Sequence, residues 1–246
     1  MPVIATAEQT AIIESTHPVI MIEAVAGAGK TTVLACVLKR ACQRGIVPGQ
    51  AIALCFSEGA KERLKQKFLE EGVPKGIVVQ TIEEFARDQV NRMVGARYLD
   101  APVFYDTDEQ IRPHILEAAE AVWRHYAESD TPTEFDFSFD NNERVEDFIR
   151  LMVRLKATLA TLEFDTRDAA EMADATDEST EVIEICKEYE RQRGADTGEC
   201  AWQSRFDHVS DLIALFRRQR EAMRLLPHYD LCVVDEWHDV NAAEFE

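Results

Sequence analysis

Residues 18–32 read Pro18-Val-Ile-Met-Ile-Glu23-Ala24-Val-Ala26-Gly27-Ala28-Gly29-Lys30-Thr31-Thr32, and a helical pattern follows to residue 44. The apolar run at 18–23, ended by a turn of small residues, predicts a buried strand. Gly27 and Gly29 let that turn take positive φ and approach a ligand closely. The amides of such a turn, together with the amino end of the next helix, make a concave anion site. Lys30 is then placed to reach β and γ phosphates, and the Thr31 hydroxyl to ligate Mg²⁺. Ala26, Ala28 and Thr32 complete the loop. Ala24 stands where the phosphate-loop pattern wants Gly, and a plain Gly-rich turn before a helix is the bland alternative.

Outward from this stretch, short apolar runs and helical patterns alternate. Strands are expected at 51–56 and 76–80, and helices at 58–71 and 82–93. That alternation means βαβ units and a parallel sheet. A nucleotide triphosphatase also needs an acid at the end of another strand. The run 231–234, Leu-Cys-Val-Val, followed by Asp235-Glu236, fits that need. Asp235 would hold Mg²⁺, and Glu236 would orient and deprotonate the attacking water. An acidic pair after an apolar strand is a weak signal alone and a strong one beside the loop at 24–32.

Lys30 and Asp235 lie 205 residues apart, too far for a compact nucleotide domain, so the middle reads as an insertion. Helical patterns at 108–126, 144–162, 181–193 and 204–225 are separated by polar, acidic stretches. The alternating segment 134–140 reads as a short strand packed on these helices, and Trp123 and Trp202 read as their packing residues. The expected domains are 1–98 with 204–246 for the nucleotide, and 99–203 for the helical insertion.

The loop Ala24-x-Ala26-Gly27-Ala28-Gly29-Lys30-Thr31 resembles that of superfamily 1 UvrD/Rep-type DNA helicases. Thr6-Ala-Glu-Gln9 is similar to the family's Q motif, in which the Gln reads adenine. The stretch 51–64 resembles motif Ia, and Val78-Val-Gln-Thr81-Ile-Glu-Glu-Phe85 resembles motif Ib. The stretch 233–241 resembles motif II, with His238 in place of the usual Gln, and Phe206-Asp207 with Asp211 resembles a segment shortly before it. The resemblance implies a RecA-like P-loop fold, a parallel sheet flanked by helices with a mostly α-helical inserted subdomain. It implies ATP and Mg²⁺ as cofactors, bound through Gln9, Gly27–Thr31 and Asp235, and single-stranded DNA as partner. Phe56 would stack on a base, and Ser57 and Thr81 would bond phosphate, while Lys61 and Arg63 belong to the densest basic stretch. A solvated helix face is the alternative for that stretch.

Complete members of the family continue with motif III and a second RecA-like domain that supplies transition-state arginines. An arginine finger is worth about 10³–10⁵ in rate. The chain read alone is therefore expected to hydrolyse ATP weakly and not to unwind DNA, with a second helicase half in cis or in trans. A nucleotide-dependent interaction module without turnover is the competing reading. A small-molecule kinase would share the loop but has no need for the Ia and Ib segments.

Composition bounds these readings. The 246 residues are 46% hydrophobic and 30% charged, ordinary for a globular chain. No apolar run is long enough for a membrane helix, and the amino-terminal stretch lacks a secretory pattern. Six Cys without metal spacing fit reduced, buried thiols in the cytoplasm. The formal charge of −19 argues against a nucleic-acid face, but residues 1–100 carry 12 Lys+Arg against 11 Asp+Glu. Residues 101–246 carry 15 against 35, so the acid sits in the second part.

Overall fold

The computed structural model describes residues 5–25, 27–129, 132–139, 141–194, 200–237 and 240–245. In chain order these form α1 (Ala7–Glu14), α2 (Lys30–Gln43), β1 (Ala51–Cys55), α3 (Glu58–Glu71), β2 (Val78–Thr81), α4 (Ile82–Gly95), β3 (Val103–Tyr105) and α5 (Asp108–Glu128). They continue with α6 (Asn142–Ala157), α7 (Ala169–Thr176), α8 (Thr180–Arg193), β4 (Trp202–Ser204), α9 (His208–Arg218), β5 (Leu231–Val234) and α10 (Ala242–Phe245). Two compact units result. One comprises Met1–Phe85 with Pro227–Val240, the other Ala86–Leu226 with Asn241–Glu246.

The first unit holds a parallel sheet in the order β2-β1-β5. β1 is central and apolar throughout, as a parallel strand covered on both faces must be. Ala51 and Ala53 of β1 and Val233 of β5 share a face with period two. Ala35 and Leu38 of α2 and Leu64 and Phe68 of α3 belong to the same core. Helix α3 begins where Ser57 accepts a hydrogen bond from the Ala60 amide and ends at Gly72, whose φ is 67°. Both ends follow from residue chemistry: a hydroxyl cap and a left-handed glycine. The fold is α/β with a parallel sheet flanked by helices, as expected.

The expected strand at 18–23 is absent. Residues 19–25 have no regular secondary structure and join no ladder, and Val19, Met21 and Val25 are 85%, 68% and 79% exposed. The apolar run satisfies the composition of a buried strand. A strand also needs a neighbour's backbone groups, and the described pairing of β5 runs to β1.

The second unit is mainly helical. Ile111, Ile115 and Val122 of α5 share a core with Phe148 and Met152 of α6, Met172 of α7 and Ile183 and Tyr189 of α8. A second cluster joins Val90 and Met93 of α4 to Leu99, Leu212 and Leu215. Residues 86–98 and 204–226 thus pack within this unit. Two short parallel strands, β3 and β4, pair with Val103 opposite Trp202.

The segment 132–139 contains no strand, contrary to expectation; Asp140 lies outside the described residues. Phe139 is buried, while Phe135 and Phe137 are half-buried against the helical core. These aromatics are anchored by side-chain packing, which needs no ladder. Trp202 is buried against Tyr105, His114 and Tyr189, as expected. Trp123 is 51% exposed and is not a core residue. The thiols also differ from expectation: Cys55, Cys186 and Cys200 are buried, but Cys232 is exposed.

An ionic cluster lies inside the helical unit. The Lys156 ammonium is 2.6 Å from Glu190 and 2.8 Å from Asp207. The Arg193 guanidinium donates to both carboxylate oxygens of Asp211, at 2.8 and 2.9 Å. Asp207 also accepts from the Ser204 amide and hydroxyl. Burial alone would raise the Asp207 carboxyl, but Arg193 and Lys156 hold it down at about 2. The two acids of the segment before β5 are therefore internal anchors of α9.

Candidate functional site

The parallel register places three strand ends side by side. Cys55 of β1 pairs with Thr81 of β2, and Leu54 pairs with Val234 of β5. Phe56, Thr81 and Asp235 therefore emerge at the carboxyl edge of one sheet. In open α/β sheets, ligands bind at this edge.

The small-residue loop is built from two left-handed glycines, Gly27 at φ 80° and Gly29 at φ 83°. At Gly29 the left-handed φ disfavours any larger residue, while a β-carbon there would only touch the end of the Gln9 side chain at 3.4 Å. Gly29 is also the N-cap of α2, and Lys30 its first residue. The amino end of a 14-residue helix thus abuts the loop, with its unsatisfied N–H groups and partial positive charge. The Lys30 ammonium donates to the Ala24 carbonyl at 3.0 Å, folded over the loop that it follows. Ala28 donates its amide to Val25 at 3.2 Å. Thr32 is half-buried in the first turn of α2, and Ala26 lies outside the described residues.

The loop and the acid of β5 meet. The Thr31 hydroxyl donates to Asp235 Oδ2 at 3.1 Å, although 204 residues separate them. Asp235 is 7% exposed, and its amide donates to Leu54 across the β5–β1 ladder. A hydroxyl and a carboxylate in contact at the rim of an anion loop are the hard oxygen donors that Mg²⁺ takes. The donor chemistry therefore fits the cation. Glu236 follows with φ 55°, a left-handed conformation that costs a non-glycine residue energy. Its amide turns back to Asp235 Oδ1 at 3.2 Å.

Gln9 joins the amino-terminal helix to the loop. Thr6 and Gln9 form a capping box: the Thr6 amide donates to Gln9 Oε1 at 2.9 Å, and the Gln9 amide donates to Thr6 Oγ1 at 3.2 Å. The other end of the same side chain, Nε2, donates to the Ala28 carbonyl at 3.1 Å. Helix α1 was not expected from apolar periodicity. The Thr-x-x-Gln spacing was the signal that could have found it.

The residues proposed for a second ligand along α3 are arranged differently. Phe56 is 50% exposed at the end of β1. The hydroxyls of Ser57 and Thr81 accept from the amides of Ala60 and Glu84, so both serve as caps. Lys61 is buried between Glu58 at 2.8 Å and Glu84 at 2.7 Å. Its bonds to these two carboxylates raise the ammonium above its usual value. Lys65 pairs with Glu62, and Lys67 with Glu70 and Glu71. Arg63 is exposed, without an ion pair among the described residues. The basic stretch is thus largely neutralised by acids of its own neighbourhood, which its sequence spacing did not reveal. Burial pushes the Cys55 thiol beneath it up to about 11, so it stays protonated. His238 lies outside the described residues.

A family model described as the UvrD/REP helicase N-terminal domain matches residues 5–246, nearly the whole chain. No curated protein matches it.

Proposed function

The chain belongs to the UvrD/REP helicase N-terminal domain family, and on that premise we propose that it binds and hydrolyses ATP as the nucleotide half of a helicase acting on single-stranded DNA. The Thr31–Asp235 hydrogen bond carries this reading, because it joins a phosphate loop to a strand-end acid at one point.

In this reading, Gln9 presents its amide to the adenine edge. The amides of Gly27, Ala28 and Gly29 and of the start of α2 bind phosphate oxygens, with Ala26 and Thr32 beside them. Lys30 leaves the Ala24 carbonyl for the β and γ phosphates. Thr31 and Asp235 hold Mg²⁺, which when bound neutralises charge on the phosphates. Glu236 orients a water for in-line attack on the γ-phosphorus and takes its proton on the carboxylate. The P–O bond to the leaving ADP breaks as the new one forms.

Residues 1–98 and 204–246 are proposed as the nucleotide domain and 99–203 as the insertion, although 86–98 and 204–226 pack with the helical unit. Phe56 and Arg63 are the side chains left available for DNA, by stacking and phosphate pairing. Lys61, Ser57 and Thr81 shape that surface from beneath. A second helicase half, in cis or in trans, is assigned the arginines that stabilise transition-state charge. The neutralised lysines of α3 favour one competing reading, a nucleotide-dependent interaction module that binds DNA weakly.

ATP binding and hydrolysis by the chain, with and without single-stranded DNA, test the proposal. Lys30→Ala should lose nucleotide binding, and Glu236→Gln should bind ATP while turnover falls by about 10²–10⁴. DNA binding should weaken with added salt. ATP binding without DNA binding at low salt would move the reading to the interaction module. No nucleotide binding, or equal binding by Lys30→Ala, would overturn both.

A further inference from the structure

Helix α1 has few supports. It has eight residues, and none of them is buried. Isolated helices shorter than about 12–15 residues are marginal in water. Its apolar side chains add little, since Ile12 and Ile13 are only half-buried. Polar ties must therefore fix its place, and among the described residues they lie at its two ends. At the amino end, Gln9 reaches the Ala28 carbonyl of the phosphate loop at 3.1 Å. The carboxyl end is tied to α2, and nothing in the nucleotide reading uses that tie.

Glu14 closes α1 and meets two guanidinium groups. Its carboxylate accepts from Arg40 Nε at 3.2 Å and Nη2 at 3.0 Å, and from Arg44 Nη2 at 2.5 Å. Arg44 also donates to two main-chain carbonyls at the end of α1, that of Glu14 at 3.1 Å and that of Ser15 at 3.3 Å. Helix α1 has no basic residue in its own last turn. Arg44 thus supplies the cation that a helix end with unpaired carbonyls favours. The hydrogen bond from Arg40, with the charges of Arg40 and Arg44, holds the Glu14 carboxyl below its usual value. The side chains of Glu14, Arg40 and Arg44 are 46%, 40% and 37% exposed, so one such pair alone would be weak. One carboxylate shared by two guanidiniums, one of which also holds two carbonyls, forms a network of charge-assisted bonds.

We propose that Glu14 is a positioning residue for the nucleotide: through Arg40 and Arg44 it fixes α1 on α2, and so holds the Gln9 amide where the adenine edge meets it. The proposal rests on the reading of Gln9 given above. Helix α2 starts at the phosphate loop and carries the two arginines at its other end. One helix therefore relates the phosphate site to the side chain that reads the base. The clamp acts on recognition of the base and not on the phosphates.

Isothermal titration calorimetry of the full chain with ATP and with GTP tests this. The parent should prefer ATP. Glu14→Ala should weaken ATP by about threefold to tenfold, the worth of one hydrogen bond, and GTP by less than about twofold. A merely structural role would weaken both alike. Arg40→Gln/Arg44→Gln should reproduce the loss, and adding Glu14→Ala to it should change little more. In a Gln9→Glu background, Glu14→Ala should leave ATP affinity unchanged, because the amide through which it acts is gone. Thermal melting should change little in each variant, since α1 has no buried side chain. The proposal is overturned if Glu14→Ala keeps the parent's preference for ATP, if ATP and GTP weaken together, or if the loss is as large in the Gln9→Glu background. A parent that binds no nucleotide, or binds ATP and GTP alike, would overturn the reading of Gln9 and the proposal with it.

Discussion

Glu236 combines an acid with a backbone that acids avoid: φ is 55° directly after a parallel strand. A left-handed non-glycine residue costs on the order of 1 kcal/mol or more. Such a cost persists where the surroundings over-determine the conformation, and here the Glu236 amide is held by Asp235 Oδ1. The expected outcome separates strain from chemistry. Glu236→Gly and Glu236→Ala should both lose ATP turnover, because neither carries a carboxylate. Glu236→Gly should be the more stable of the two by about 1 kcal/mol, since it alone relieves the backbone. Urea unfolding of the two variants measures the difference. Equal midpoints would mean that the position is not strained. The neighbouring acid behaves otherwise: Asp235 is buried and paired, and its place is set by the ladder to β1.

At the scale of elements, one side chain links α1 to the phosphate loop. Gln9 closes the capping box through Oε1 and reaches Ala28 through Nε2. Gln9→Glu keeps the box, because a carboxylate accepts from the Thr6 amide, but has no donor for Ala28. Its stability should stay within about 0.5 kcal/mol of the parent, while affinity for ATP falls by up to about tenfold, the worth of one hydrogen bond. Isothermal titration calorimetry and thermal melting report the two effects separately, and an unchanged affinity would show that the link does not matter. The same two-ended contact shows what the sequence made legible. Loop, capping helix α2 and strand-end acid were readable because each is a local pattern with its own chemistry. Gly27 and Gly29 are left-handed, Lys30 opens α2, and Thr31 meets Asp235. The strand expected at 18–23 failed because apolar composition reports burial and not the presence of a pairing partner. The opposite occurred at Lys61. Its charge is local, but Glu84, which neutralises it, is 23 residues away and reaches it through the fold. Short strands β3 and β4 have three residues each, too few for period two to show.

For the whole molecule, charge works in two opposed directions as pH falls. The formal charge of −19 is carried almost wholly beyond residue 100, so neutral pH leaves that part self-repelling. Protonating surface acids should first stabilise the chain. The interior responds in the opposite sense. Asp207, fully buried between Lys156 and Arg193, is held at about 2 in the folded state. In the unfolded chain an aspartate titrates near about 3.9. Between about pH 4 and pH 2, the unfolded chain therefore binds more protons, and folding stability falls as pH falls. Nearly two pH units correspond to about 2–3 kcal/mol, present above pH 4 and lost by pH 2. Lys156 is raised by the acids around it and stays charged throughout. Removing one partner would leave a buried charge uncompensated and cost about 3–5 kcal/mol, which confounds a single substitution. The double variant Lys156→Met/Asp207→Leu removes a cation and an anion together and so avoids an uncompensated charge, but it strands the Ser204 donors and one contact of Glu190, so its neutral-pH stability should be lower than the parent's. Urea midpoints of both proteins from pH 7 to pH 2 should rise together toward about pH 5, then converge below pH 4 as the parent alone loses the Asp207 contribution. Parallel curves through that window would mean that the buried pair does not govern acid unfolding, and that surface carboxylates do.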